Sequence, residues 1–285
     1  MDNTFFKSDF AKASKFKWDF IKNFDSSKKW DLLAKQYKDP FLLEENSTIN
    51  LNKELIPKKI HQIWLGPRKL PKKYKNWMQT WKIFNPEWEY ILWDDNKINK
   101  LNLKNKLAYN STKNPGFKSD VARYEILNKF GGIYLDTDFQ CLKPIPNNLL
   151  FYEFVSCIIF YFSPVLANGM MMSKPNSPLL KDIINAINVP KSKTNPNDIF
   201  SASGPWALTD AYFNLNIEDQ KKSLILPSDY FYPFPNFLIS NKPIIYTDFI
   251  SDKSIGIHHW EMSWIKGNLI KRIIRKIIFV FKELF

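Results

Sequence analysis

The chain has 285 residues, a net charge of +13, and 45% hydrophobic and 16% aromatic content, enough apolar material for one sizeable α/β core and too much for a disordered protein. Its basic charge comes without a zinc-finger spacing or an RNP motif, so nucleic acid is not expected as a partner, and an anionic membrane surface or plain solvation accounts for the lysines. Cys141 and Cys157 lack metal-ligand spacing and read as reduced thiols, no secretory signal is expected, and no apolar run is long enough for a bilayer-spanning helix.

Residues 1–50 are basic, aromatic and free of glycine, and are expected as an N-terminal helical extension. The core is expected over 51–264. Its first strand is KKIHQIWLG, an apolar run stopped by Gly66-Pro67. Pro71 to Phe84 follow as a helix opened by proline. Asn85-Pro86 break it, and WEYILWDD is a second strand ending in Asp94 and Asp95. A polar stretch from Asn96 to Pro115 leads to an amphipathic helix over 117–130, whose packed face is Val121, Tyr124, Ile126, Leu127 and Phe130. Gly131-Gly132 stop that helix, and GIYLD is the third strand.

Further on, FVSCIIFYF reads as a buried strand or short apolar helix, VLANGMMMS as another strand, SPLLKDIINAI and GPWALTDAYF as helices, and 227–245 as Pro-rich aromatic turns. The alternation predicts an α/β fold with a mainly parallel sheet. The terminal 265–285 place Ile270, Ile273, Ile274, Ile277 and Ile278 at helical spacing opposite Lys271, Arg272, Arg275 and Lys276. A basic amphipathic helix of this kind lies in a membrane interface or docks its stripe on the core, and the cationic polar face favours the membrane.

The densest chemistry lies in Ser119 to Pro144, where the third strand ends in Asp136 and Asp138. Carboxylates just past a buried strand stand on the rim where open α/β sheets bind ligands. Two hard oxygen donors there suit Mn²⁺ or Mg²⁺ holding a diphosphate. Asp120 and Arg123, one turn apart on the preceding helix, can accept from a sugar hydroxyl and donate to sugar or phosphate oxygens, or can be an ordinary surface pair. Asn168-Gly169 reads as a turn or as a wall of a sugar pocket. Ser203-Gly204-Pro205 reads as a helix cap or as a ligand-facing N-terminus.

Taken together, IPKKIHQIWLG, WEYILWDD, SDVARYEILNKFGGIYLDTD and HHWEMSW strongly resemble glycosyltransferase family 32, the DXD-containing sugar transferases of bacterial capsule and lipopolysaccharide synthesis and of fungal mannosylation. The resemblance runs from about Pro57 to Trp264. It implies a GT-A fold, a nucleotide-sugar donor (a UDP-sugar), a divalent metal, and retention of anomeric configuration. By position, Trp64 matches the aromatic that stacks on the nucleobase, and Asp120 and Arg123 match donor-sugar contacts. Asp136 matches the DXD carboxylate facing ribose and sugar, and Asp138 the direct metal ligand. His258 or His259 falls where the family places another metal- or phosphate-side group, and Ser263 and Trp264 where hydroxyl and indole donors meet the leaving diphosphate. The implied acceptor is a saccharide or glycolipid of bacterial lipopolysaccharide or capsule synthesis, at the cytoplasmic face of the membrane, with the enzyme peripheral on it. The alternatives are a haloacid-dehalogenase-like phosphatase, whose first Asp would attack phosphate, and a non-catalytic basic protein that binds nucleic acid or membrane.

Overall fold

Strand β1 (Lys59–Ile63) is buried along its last four residues, as expected of an interior strand covered on both faces. The computed structural model describes residues 8–13, 28–40, 53–159, 164–192, 195–233 and 249–261. On one side β1 pairs in parallel with β2 (Glu89–Trp93), and on the other with β3 (Gly132–Leu135). Beyond β3 come β6 (Met170–Ser173), β5 (Phe154–Cys157) and β7 (Ser223–Leu226), giving the order β2-β1-β3-β6-β5-β7. Only β6 runs against the others, so the α/β sheet is mainly parallel, in keeping with a GT-A fold.

Between β1 and β2 lies α3 (Lys72–Phe84), with Pro71 as its N-cap. The polar stretch after β2 is not structureless: it holds two short helices, α4 (Asp95–Asn99) and α5 (Lys106–Asn110). Helix α6 (Pro115–Phe130) begins where Asn114 accepts hydrogen bonds from the Gly116 and Phe117 amides. It is not simply amphipathic. Asp120 and Arg123 are buried with Val121, Tyr124 and Leu127, so they are no surface pair. The helix ends at Gly131 and Gly132, both at positive φ, and a Cβ on Gly132 would lie 2.5 Å from the Lys59 carbonyl oxygen. Only glycine lets β3 start that close to β1.

A second, two-stranded sheet pairs β4 (Phe139–Cys141) antiparallel with β8 (Gly256–His258). Neither strand is foreshadowed in the sequence, and β7 is not either. Trp81 of α3 donates its indole N–H to the Phe139 carbonyl at 3.0 Å and anchors this ribbon on the domain. Helices α7 (Pro178–Ala186), α8 (Pro196–Ala202), α9 (Pro205–Asn214) and α10 (Ile217–Lys221) complete the core, with α7 and α9 packed together.

Of the expected N-terminal extension, α1 (Asp9–Lys12) and α2 (Lys28–Gln36) are described. They bury Phe10, Trp30 and Leu33, and Tyr37 and Tyr230 share a hydroxyl hydrogen bond of 2.7 Å. The amphipathic segment 265–285 lies outside the described residues. Among the described residues no helix is long and apolar enough to cross a membrane. Cys141 and Cys157 are both buried free thiols.

Candidate active site

The parallel register places Ile60 opposite Ile133 and His61 opposite Tyr134, so β1 and β3 leave the sheet side by side. Trp64 and Asp136 therefore emerge from neighbouring strands at the same edge. Gln62 ties the two together, its Nε2 donating to the Asp136 carbonyl at 3.0 Å. The Trp64 ring packs against Tyr74, centroid to centroid 5.4 Å, and its indole N–H donates to the Arg68 carbonyl at 2.6 Å.

Behind Asp136 stands a saturated polar cluster. Arg123 Nη2 lies 3.1 Å from Asp120 Oδ1 and 3.2 Å from Asp136 Oδ1. Its Nη1 donates to the Asn168 carbonyl at 2.8 Å and its Nε to the Ser119 carbonyl at 3.2 Å. Tyr134 Oη donates to Asp136 Oδ1 at 2.7 Å, and the guanidinium lies over the Tyr134 ring. Asp120 accepts in addition from Asn168 Nδ2 at 2.9 Å and Ser203 Oγ at 3.0 Å. The guanidinium is thus engaged with protein groups at all three nitrogens and orients Asp136. Burial pushes the Asp120 carboxyl up to about 7, since Arg123 is shared with Asp136, whose charge adds to the rise. Burial disfavours the Arg123 cation too, but Asp136 and Asp120 outweigh it and hold its pKa above the ordinary range.

Asp138 faces the other way. Pairing of Phe139 with His258 across β4 and β8 brings the imidazole Nε2 to 3.1 Å from Asp138 Oδ1 and 3.8 Å from Asp136 Oδ2. One ligand atom from each of Asp136, Asp138 and His258 falls within 4.8 Å of the other two. Adjacent ligands of a six-coordinate Mg²⁺-sized ion sit about 3 Å apart, so the His258–Asp138 separation already fits and Asp136 needs a small inward shift. Two carboxylates and an imidazole are a donor set that could hold a divalent cation, with phosphate and water completing the shell. Burial works against the charged form of both partners, yet their attraction prevails: Asp138 is held below the usual carboxylate range and His258 is raised to about 9. His258 therefore has to release its proton before Nε2 can ligate a cation. Its Nδ1 is buried and finds no hydrogen-bond partner among the described residues.

Asp138 is more than a rim carboxylate. It is 7% exposed, its Oδ2 accepts from the Glu261 amide at 2.8 Å, and its carbonyl accepts from the His259 amide at 3.0 Å. The doublet thereby also pins the chain after β8. The two histidines separate cleanly. His259 turns away from the acidic cluster, stacking on Trp77 at 3.9 Å with Nε2 3.1 Å from Gln140 Oε1, and burial lowers its pKa to about 4. Ser263 and Trp264 lie outside the described residues.

The sequence does not point to Gln62, Tyr134, Asn168 and Ser203 as supports of this site, although the last two sit in motifs where a ligand-facing role was one of two readings. Gly169 is part of the wall: its carbonyl accepts from the Asp136 amide at 2.9 Å, and a Cβ there would lie 2.6 Å from Asp136 Oδ2 and 2.9 Å from Tyr232 Oη. Tyr232 packs at 5.1 Å from both Phe139 and His258 and brings its hydroxyl to the same corner. Its signal was a lone Tyr-Pro in an aromatic turn, which carries no chemistry by itself.

Comparison with known proteins covers part of this site. The profile of the glycosyltransferase sugar-binding region containing a DXD motif matches residues 71–155, which include α6, β3 and both aspartates. An inositol phosphoceramide mannosyltransferase of Schizosaccharomyces pombe is 27% identical over 198 residues, 66% of this chain and 61% of that protein. The chain thus spans about three-fifths of that relative's length. An uncharacterised glycosyltransferase of Acanthamoeba polyphaga mimivirus is 27% identical over 203 residues, 68% of this chain and 80% of that protein. Among solved structures, the catalytic domain of the Clostridium novyi alpha-toxin aligns with a TM-score of 0.43 at 12% identity, covering 79% of this chain and 83% of that one. The phosphatase alternative finds no support in these matches.

Proposed function

Because this chain belongs to the glycosyltransferases that carry a DXD sugar-binding region, we propose that it moves a hexose or N-acetylhexosamine from a nucleotide sugar, a UDP-sugar, to a saccharide or glycolipid acceptor, with retention. The observation that carries the reading is the convergence of Asp136, Asp138 and His258 at the end of β3, backed by Arg123 and Asp120. A divalent cation, Mn²⁺ or Mg²⁺, would be held by these three side chains and would supply positive charge against the departing diphosphate.

The chain's own groups do the rest. Arg123 and Tyr134 hold Oδ1 of Asp136 and leave its Oδ2 on the His258 side, 3.8 Å from Nε2. Trp64, at the head of the neighbouring strand, offers an aromatic face for the nucleobase. Preorganised dipoles and charges of this kind act where charge develops in the transition state. No isolated Glu presents itself as a nucleophile, so we favour same-face attack in which the leaving phosphate takes the acceptor's proton. Ser263, Trp264 and the basic segment 265–285 remain part of the proposal as diphosphate donors and as a membrane contact.

For the acceptor, the family resemblance points to bacterial lipopolysaccharide or capsule precursors, whereas the S. pombe relative is named for inositol phosphoceramide. A sugar-bearing or inositol-bearing lipid headgroup covers the chemistry common to both. The test is a nucleotide-sugar panel with Mn²⁺, reading nucleotide release. One donor should stand out and its turnover should vanish with chelator. Uniform inactivity across the panel, or chelator-insensitive release, would sink the reading.

A further inference from the structure

The stretch that leads from β2 into the first turn of α6 is rich in lysine. Residues 96–118 contain six lysines and no Asp, Glu or Arg. Several lysines elsewhere meet acids: Lys58 reaches Glu87, Lys59 Glu89, Lys73 Glu261, Lys174 Glu153, and Lys221 and Lys222 reach Glu218 and Asp219. Among the described residues, none of the six lysines in this excursion is in a salt bridge. Lys97 donates instead to the Leu92 carbonyl, Lys104 to Asn185, and Lys118 lies over the Tyr109 ring.

The acids that flank the segment are engaged with backbone. Asp94 caps the Lys97 amide, Asp95 accepts from the Gly66 amide, and Glu125 accepts from the Lys104 and Asn105 amides. They offset part of the charge and leave a local excess of cations. In the middle of it stands Leu107, which is 90% exposed, while its neighbours Ala108 and Tyr109 are buried against the core.

Topology sets where this surface lies. β2 ends at the sheet edge from which Trp64 and Asp136 emerge, and α6 must start at that same edge in order to return to the beginning of β3. The Gly66–Asp95 hydrogen bond ties the excursion directly to the loop that carries Trp64.

We propose that residues 96–118 dock on an anionic lipid bilayer, with Leu107 entering the interface and Lys97, Lys100, Lys104 and Lys106 on the headgroups. A cluster of lysines near such a surface attracts it without any specific pocket, and one apolar side chain among them adds insertion. Nucleic acid fits less well, because single-strand binders use exposed aromatic rings and arginine, and this surface offers neither. The lipid contact stands on charge and exposure alone. Its consequence rests on the sugar-transfer reading: the sheet edge that carries Trp64 and Asp136 would then lie near the headgroups, where a lipid-borne acceptor hydroxyl would meet it.

The test places a fluorophore on the full chain. Leu107→Cys can be labelled selectively with an environment-sensitive dye, since Cys141 and Cys157 are buried. Vesicles of phosphatidylcholine with phosphatidylglycerol should shift its emission to the blue and brighten it several-fold, phosphatidylcholine alone should not, and high salt should reverse the change. Replacing the four lysines by Gln should weaken vesicle partition at least tenfold. Nucleotide release from the best donor with a soluble acceptor should not change in that variant. Three results overturn the proposal: no vesicle binding, co-sedimentation with no response at residue 107 (another segment then makes the contact), or a response to single-stranded RNA in place of vesicles. A response to vesicles in a protein that turns over no nucleotide sugar leaves the docking intact and fails the enzymatic reading instead.

Discussion

The two aspartates of the doublet stand one residue apart and have opposite surroundings. Asp136 belongs to the side formed by α6, β1 and β3, where donors and acceptors close on each other: Arg123, Tyr134, Asn168 and Ser203 all find partners within the protein. Asp138 belongs to the ribbon of β4 and β8, where His258 Nδ1 is buried with no partner among the described residues and one atom each of Asp136, Asp138 and His258 falls within 4.8 Å of the others. One side is a hydrogen-bonded scaffold behind the doublet, and the other brings Asp138 and His258 to the Oδ2 side of Asp136. Damage to the scaffold should therefore appear first as lost stability, and damage to the ribbon as lost turnover.

Arg123→Met is the most severe test of that division. It removes the cation and leaves Asp120 and Asp136 facing each other with Asp120 buried, and breaking a buried pair from one side costs about 3–5 kcal/mol. Urea unfolding should show that loss at neutral pH. A drop below 1 kcal/mol would mean the cluster is far more hydrated than its packing implies.

Asp138→Asn keeps the shape and removes the charge. Nucleotide release should fall on the order of 10²–10³-fold, the scale of losing a principal electrostatic element of a transition state. The cost in stability should be smaller, about 1–2 kcal/mol, because Asn still accepts from the Glu261 amide but forfeits the His258 ion pair. Asp136→Asn should lose comparable activity. If the Asp138 variant unfolds more readily than Arg123→Met, the contrast between the two sides is reversed.

His61 extends the scaffold side into pH. It is fully buried, its Nε2 donates to the Gly131 carbonyl, its Nδ1 accepts from the Trp93 indole, and burial lowers its pKa to about 4. Below pH 6.5 the unfolded chain takes up a proton that the folded chain refuses. Stability from this residue is thus present above about 6.5 and declines by roughly 1.4 kcal/mol per pH unit down to about 4, some 3 kcal/mol in total. Urea midpoints of wild type and His61→Gln compared between pH 7 and 4 isolate it. Equal slopes would show that the imidazole titrates freely.

The scaffold is largely legible in the sequence, and the ribbon is not. β1 and β3 are apolar runs with clear stops, and α6 is bracketed by Asn114-Pro115 and Gly131-Gly132, signals with local causes. The doublet followed from its place after β3. The burial of Asp120 and Arg123 did not, because α6 packs on nearly every side and charged residues at helical spacing ordinarily mark a solvated face. β4 and β8 are three residues each and pair across more than a hundred positions, so no window of sequence contains the interaction. Between His258 and His259 the sequence left the choice open. Neighbouring residues of a strand point to opposite faces, and only the pairing of Phe139 with His258 decides which imidazole meets the aspartates.

Where the two sides meet, Gly169→Ala tests whether the position of Asp136 matters independently of its charge. The added methyl would stand 2.6 Å from Asp136 Oδ2 and 2.9 Å from Tyr232 Oη, too close for either to stay in place. Gly169 has no positive φ to surrender, so the strain falls on those side chains and not on the backbone. Asp136 has more room to yield than Tyr232 because its side chain is partly exposed and Tyr232 is buried, yet Arg123 and Tyr134 hold its other oxygen. The carboxylate should rotate out of line with Asp138. Nucleotide release should then fall about tenfold, equivalent to about 1.4 kcal/mol in the barrier, with the thermal midpoint shifting by only a few degrees. An unchanged rate would mean that Asp136 can reach a cation from more than one rotamer, and the clamp formed by Arg123 and Tyr134 would then serve the fold alone.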